Sequence, residues 1–305
     1  MFRRAWIAAA LFCLPASASA QTVIKLKNSF IEKFKDRATI DVTFTVDHTS
    51  AIHPASQDGD IHMAGRADEA GMHLVAEIMN AKTERTKAVM QVKAMEGTST
   101  TVALSGAWRL WSEHGGQITE EQGTSTEPLA SSGDAHIFEI HPVSVFDGRS
   151  LAQTIAPIDG FQYKDADTAF TAYERTPCQI VPQGDMITII TSKVGFNYTE
   201  FVMQLTDPAR AIADGSVAFA DVVDTAGEVL VKHRRMVFIH GTDAEAAVKV
   251  LKKGETLHVI GIPRIDLSLV SWRVRASTDT ALKVKFPNVL TWNLPYEMII
   301  VAVLD

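Results

Sequence analysis

The sequence predicts a mainly β protein whose mature part forms two barrel-like domains. Three observations carry this. Short segments with apolar residues at a period of two recur along the chain, turn-forming breakers separate them, and one well-capped helix falls among the strands of the second half. At 305 residues the chain has room for two domains of ordinary size.

The opening segment reads as an export leader. Arg3 and Arg4 supply a positive region, Ala5 to Leu14 an apolar core, and Ala18-Ser19-Ala20 the small-residue pattern at which such leaders are cleaved. The apolar core is short of the roughly 20 residues a membrane-crossing helix needs. The expectation is therefore a signal peptide over residues 1–20 and a mature chain, without a transmembrane segment, that is periplasmic or secreted and bacterial. Of the 29 basic residues two leave with the leader, so 27 face 36 acidic ones, a net charge of −9 with histidines neutral. That balance disfavours nucleic acid and anionic lipid as partners. One cysteine remains, Cys178 at the start of a strand-like run; it has no partner for a disulfide, and with no histidine near it in sequence to activate it, it is expected as a buried structural thiol.

A first domain is expected over 21–155. Asn28 to Arg37, with Phe30, Ile31 and Phe34, reads as a short amphipathic helix; Asp36 to Asp47, with Ile40, Val42, Phe44 and Val46, reads as a half-buried strand. Further strands are expected at Asp60 to Gly65, His73 to Met79, Ala88 to Ala94, Thr101 to Trp111 and Ala135 to Val145. The pattern weakens around Pro157-Ile158-Asp159-Gly160, which serves as the joint to a second domain over 156–305. There Met186 to Ser192, Tyr198 to Leu205, Ser216 to Val223, Glu228 to Phe238, Thr256 to Gly261, Leu267 to Ala276 and the closing run Met298 to Leu304 read as strands. The helix Asp243 to Lys252 is announced by Thr242 with Glu245 three residues on, and closed by Gly254. The basic run Lys232-His233-Arg234-Arg235 reads as a solvated strand end.

Strands, one helix and more strands form an order that resembles the OB-fold, a five-stranded Greek-key barrel. In the second half Val222-Val223 before a turn, Lys232 to Phe238, the helix and Gly254 to Gly261 look like the middle and fourth strand of such a barrel; Ile40 to Val145 resembles a divergent copy. Two β-sandwich domains are the alternative. The resemblance implies a fold and brings no reaction with it.

The polar residues that stand out lie in the first domain. Asp58 precedes Asp60 and His62, which share a strand face; Glu77 interrupts an apolar strand; Arg109 lies between Trp108 and Trp111; Glu139 and His141 share a face opposite His136. Three readings stand: a divalent metal site using His62 and His141 with Asp60 or Glu139; a paired network of Glu77, Arg109 and Glu139; or unconnected residues on half-exposed strands. Asp58-Gly59-Asp60 also resembles the Asp-Gly-Asp of secreted OB-like nucleases, which implies metal on Asp60, water activated by Glu113 or Glu77, and Arg109 on the phosphoryl group; His62 and the loosely placed Arg66 depart from that pattern. In the second domain Trp272, read on a strand, is a candidate for ligand stacking. Taken together, the sequence reads as an exported binding protein without catalysis, taking a glycan, peptide or envelope protein in a barrel groove or interdomain cleft. A metal-assisted hydrolase centred on the first domain is the alternative.

Overall fold

The computed structural model describes residues 21–82, 87–123, 127–224 and 226–304. The leader expected over residues 1–20 lies outside the described residues. Strand β1 (Gln21–Lys27) runs into helix α1 (Asn28–Phe34), which buries Phe30, Ile31 and Phe34 as their spacing requires. Then follow β2 (Thr39–Thr49), β3 (Ile61–Ala67), β4 (Met72–Ile78), α2 (Lys87–Ala94), β5 (Thr101–Leu110), β6 (Thr119–Glu121) and β7 (Phe138–Phe146). Antiparallel pairs join β2 to β3, β3 to β4, β2 to β5 and β5 to β7, and a parallel β4–β7 pair closes the ring. Five strands with a helix between the third and fourth, and a parallel third–fifth closure, define an OB barrel. Ile40, Val42, Phe44 and Val46 fill its interior from β2, while Asp41 and Thr43 face out.

The second half repeats the plan. After β8 (Arg149–Ser150), β9 (Lys164–Asp165), α3 (Ala166–Arg175), β10 (Cys178–Gln183) and β11 (Met186–Ser192) come β12 (Thr199–Ile212), β13 (Gly215–Val223), β14 (Val229–Ile239), α4 (Asp243–Val250), β15 (Thr256–Ile265), α5 (Leu267–Thr278), α6 (Thr280–Lys285) and β16 (Tyr296–Val303). The pairs β12–β13, β13–β14, β15–β16 and β12–β15 are antiparallel and β14–β16 is parallel, so this barrel closes in the same order. The protein is thus mainly β with two closed, five-stranded, OB-like barrels. A separate sheet, ordered β10-β11-β1-β6, ties the N-terminal strand to the hairpin at 178–192. Cys178 is buried there, and burial pushes its thiol up to about 11.

Several expectations need correction. Ala88 to Ala94 is helical, because Ala88, Val89 and Val92 bury one helical face; it is the helix an OB barrel needs between its third and fourth strands. Leu267 to Ala276 is also a helix, with Asp266 accepting from the Leu269 amide at 2.9 Å as its cap. Trp272 therefore sits on α5 rather than on a barrel strand, half-buried, with its ring centroid 5.3 Å from that of Phe286 and 6.1 Å from that of Trp292. The strand at 186–192 pairs with β1 and β10, outside both barrels. Arg235 is not solvated; it is buried, 2.9 Å from Glu297.

Candidate functional site

Strand register makes the two barrels directly comparable. In β5–β7 Arg109 stands opposite Glu139, and in β15–β16 Arg264 stands opposite Glu297. Three residues before each arginine is a glycine with no room for a side chain. A Cβ on Gly106 would lie 2.5 Å from the Pro142 carbonyl oxygen, and one on Gly261 would lie 2.9 Å from the Phe201 ring. The barrels meet through this repeated element, each reaching for the other. Arg109 Nε donates to the Pro263 carbonyl at 3.0 Å, and Arg264 Nη1 donates to the Trp108 carbonyl at 2.9 Å while its guanidinium lies 3.5 Å from the Trp108 ring centroid. Such reciprocity is the signature of a two-fold interface, here made within one chain. Ala107 and Met79 of the first barrel join Ile260, Ile262, Ile299 and Val301 of the second in the apolar part of the contact.

Beside this contact lies a dense polar cluster on the outer face of the first barrel. His62 pairs across strands with Glu77, and Ala76 with Ile140, so period-two alternation puts His62, Glu77, Glu139, His141 and Arg109 on one outward surface. His141 Nδ1 lies 3.0 Å from Glu77 Oε2, and His141 Nε2 meets the Tyr198 hydroxyl at 2.7 Å. That hydroxyl donates to Asp60 Oδ2 at 2.6 Å, and Asp60 Oδ1 accepts from the Asn80 amide at 3.2 Å. Arg109 pairs with Glu139 and, at 2.9 Å, with Glu113. His136 Nε2 lies 3.5 Å from Glu139 Oε1, and its ring stacks on His114. On the β2–β3 loop His53 Nδ1 is 3.0 Å from Asp58 Oδ1, and the His53 and His62 ring centroids are 4.3 Å apart.

Burial and pairing split the charges. Burial alone would lower His141, but Glu77 and then Asp60 and Glu139 hold its proton and raise it to about 10, so it is an imidazolium. His62 goes the other way: burial, reinforced by His53 and His141, lowers it to about 3, so its ring is neutral. Burial raises Glu77 well above the usual carboxylate range, with His141 opposing. For Glu139 burial also acts upward, yet Arg109 and the neighbouring imidazoles overcome it and hold the group well below that range. Burial, with Asp60 beside it, raises Asp58, and burial lowers His114.

All seven candidates gather here. Asp58, His62 and Glu77 line an open cleft of about 780 Å³, together with His53, Glu113 and His114 of the first barrel. Phe161, Tyr163, Phe196, Asn197 and Tyr198 form its other wall. Asp60, Arg109, Glu139 and His141 are fully buried behind that surface. The metal set expected from sequence does not form one ligand group: Asp60, His141 and Glu139 are engaged by Tyr198, Asn80 and Arg109, whereas the His62 donor groups with those of His53 and Asp58. The nuclease-like arrangement is not made either. The Arg109 guanidinium is spent on Glu139, Glu113 and Pro263, and Arg66 is held by both oxygens of Asp47. His136, expected opposite Glu139, reaches it because it precedes the strand and is free of its alternation. Trp272 is not among the residues of the cleft wall. His53, His114 and Tyr198 were invisible to strand periodicity; the first two lie on loops, and Tyr198 arrives from the second barrel.

Among the described residues three groups have donor atoms within 4.8 Å of one another: His53 with Asp58 and His62, His114 with His136 and Glu139, and Asp60 with Glu77 and His141. The second barrel supplies the control. Counting from the shared Arg–Glu pair, His62, Glu77 and His141 correspond to Val217, Val237 and Ile299, and His62–Glu77 pair across strands as Val217–Val237 do. All three counterparts are buried and apolar. An OB barrel in this protein therefore packs its outer face without these charges.

No protein-family model and no curated protein matches the chain. Among solved structures it is similar to the single-stranded DNA binding protein from Thermus aquaticus, at 9% identity over 74% of this chain and 84% of that one, with a TM-score of 0.19. The Ifi202 HINa domain in complex with 20-bp double-stranded DNA matches at 8% identity, covering 74% and 88%, with a TM-score of 0.19. A murine DNA binding protein bound with double-stranded DNA matches at 8%, covering 87% and 98%, with a TM-score of 0.18. These are DNA-binding proteins, which corrects the expectation that net charge sets nucleic acid aside: a chain-wide balance does not describe the local charge of one surface. At these TM-scores the likeness assigns no ligand, and the OB-like fold stands on the strand order.

Proposed function

We propose that the protein is a binding protein without catalytic activity, which takes a small cationic or donor-rich ligand in the cleft of its first barrel. One observation carries this reading: His62, Glu77 and His141 stand where the second barrel, which keeps the Arg–Glu pair of that face, carries the buried apolar Val217, Val237 and Ile299. Buried charge costs folding free energy unless it is well paired, so a barrel that closes without it has no structural need of it. The position agrees with how OB barrels work, since their second and third strands and the loops flanking them form the usual ligand face. Here those are β3 and β4 with the β2–β3 and β5–β7 loops. Asp58, Glu77 and Glu113 offer acceptors on one side, and Phe161, Tyr163 and Phe196 offer ring faces and edges on the other. Such a mixture of apolar wall and few convergent polar groups is that of a small-ligand site.

The protein works, on this reading, in the bacterial periplasm. Arg3, Arg4, the apolar run to Leu14 and Ala18-Ser19-Ala20 support export, and an intact mass starting at Gln21 in a periplasmic fraction is the result that agrees. No helix of the described residues is long and apolar enough to cross a membrane. The binding reading is tested by thermal-shift and calorimetric titration of the mature chain with a panel of amines, amino acids and polyols. Panel members that bind should bind about tenfold more weakly to Glu77→Gln, the loss expected for one hydrogen bond removed from the cleft. A panel without binders, or binders indifferent to Glu77→Gln, would contradict it.

A further inference from the structure

We infer that the cleft holds a divalent first-row transition metal ion on His53, Asp58 and His62. This rests on the proposed binding role of the cleft and names the cation. The three side chains come from one short stretch, two from the β2–β3 loop and one from β3, and all three are half-buried at the cleft wall. Their donor atoms lie within 4.8 Å of one another, and His53 Nδ1 and Asp58 Oδ1 are 3.0 Å apart. Ligands at zinc-like bond lengths stand about 3.4 Å apart around a tetrahedral ion, so modest side-chain rotation closes the set.

His62 adds an independent observation. Its Nε2 is buried and has no hydrogen-bond partner, a costly state for a ring nitrogen that a metal bond would end. The nearest carboxylate oxygen, Glu77 Oε2, lies 3.5 Å away, where it serves as a further ligand or as the neighbour that orients the ring. Two imidazoles and one carboxylate suit Zn²⁺, Co²⁺, Ni²⁺ or Cu²⁺ better than Ca²⁺ or Mg²⁺, which favour oxygen alone. Three protein ligands also leave coordination positions facing the cleft, where a second, ligand-borne donor could bind.

The second polar trio, Asp60, Glu77 and His141, is a poor competitor: His141 Nδ1 also lacks a hydrogen-bond partner, but it lies 3.0 Å from Glu77 Oε2 while Nε2 meets the Tyr198 hydroxyl, and both Asp60 oxygens accept hydrogen bonds. Backbone equivalence sharpens the contrast, because the residue of the second barrel that corresponds to His62 is Val217.

The test is titration of the mature, metal-stripped chain with Zn²⁺ by calorimetry and with Co²⁺ by visible absorption. One ion per chain is expected, with binding weakened about 100-fold or more by His62→Ala and by the isosteric Asp58→Asn, and unaffected by the exposed His233→Ala. Should a variant fail to fold, Co²⁺-induced shifts of the His53 and His62 ring signals in the unmodified chain report the same contact. Absence of a stoichiometric ion, or an ion that survives both His62→Ala and Asp58→Asn and leaves those ring signals in place, overturns the inference. If metal binding fails while small amines still bind in a Glu77-dependent way, the cleft remains a binding site and only the metal is lost.

Discussion

The Tyr198 hydroxyl donates to Asp60 at 2.6 Å, joining the entry of the second barrel to the loop that leads into β3, the first barrel's second strand. The opposite contact has a counterpart. Ile40 and Thr199 stand opposite the equivalent glycines Gly106 and Gly261, so Thr39 corresponds to Tyr198, and Thr39 donates its own hydroxyl to Asp214 at 2.7 Å. Each barrel thus ties an aspartate of the other, but the longer phenol also reaches His141. Tyr198→Phe should cost about 1–3 kcal/mol in urea unfolding, because it leaves buried Asp60 and His141 without their shared partner. A loss below the error of the measurement would mean that water replaces the phenol.

The reciprocal arginines should be the most sensitive positions of the interface. Arg109→Ala leaves half-buried Glu113 without its arginine and Glu139 with only the His141 and His136 imidazoles, and Arg264→Ala leaves Glu297 with Arg235 as its remaining cation. Removing one partner of a buried pair costs about 3–5 kcal/mol. Chemical denaturation should show losses of that order for both. Small and equal losses would show the pairs to be better solvated than their burial implies.

The His141 imidazolium makes stability fall at alkaline pH. Its proton is held up to about 10 in the fold, against an ordinary value near 6.5. The unfolded chain therefore releases this proton first as pH rises. The contribution is complete below about pH 6.5 and is lost progressively as pH climbs to about 10. Unfolding free energy measured between those limits should decline, and His141→Gln should flatten the decline. An unchanged slope in the variant would assign the pH dependence to other groups.

Much of this architecture is legible in the sequence, and the misses have physical causes. The β2 alternation at Ile40, Val42, Phe44 and Val46 and the Thr242–Glu245 cap, where Thr242 Oγ1 accepts from the Glu245 amide at 3.3 Å, are local signals and are realised as read. Helices α2 and α5 read as strands because short apolar runs fit either period, and only barrel closure decides between them. His62, Glu77, Arg109, Glu139 and His141 share one face because strand alternation is a strong constraint once register is set, and Asp58 and Asp60 join them from the loop that leads into β3. His136 escaped it by preceding its strand, and His53 and His114 by lying on loops. No local pattern could place Tyr198 against Asp60, since that contact spans the two barrels.

The apolar counterparts in the second barrel define the central measurement. The triple variant His62→Val, Glu77→Val, His141→Ile gives the first barrel the side chains that the second carries at Val217, Val237 and Ile299. Asp60 keeps the Tyr198 hydroxyl and the Asn80 amide, so the variant should still fold, with an unfolding midpoint lowered only by what the His141 imidazolium contributes. Calorimetry with the panel of small amines and polyols should then detect binding to the parent and none to the variant. A variant that folds and still binds with parental affinity, or one that unfolds because the charges were structural, would contradict the assignment of the cleft as the binding site.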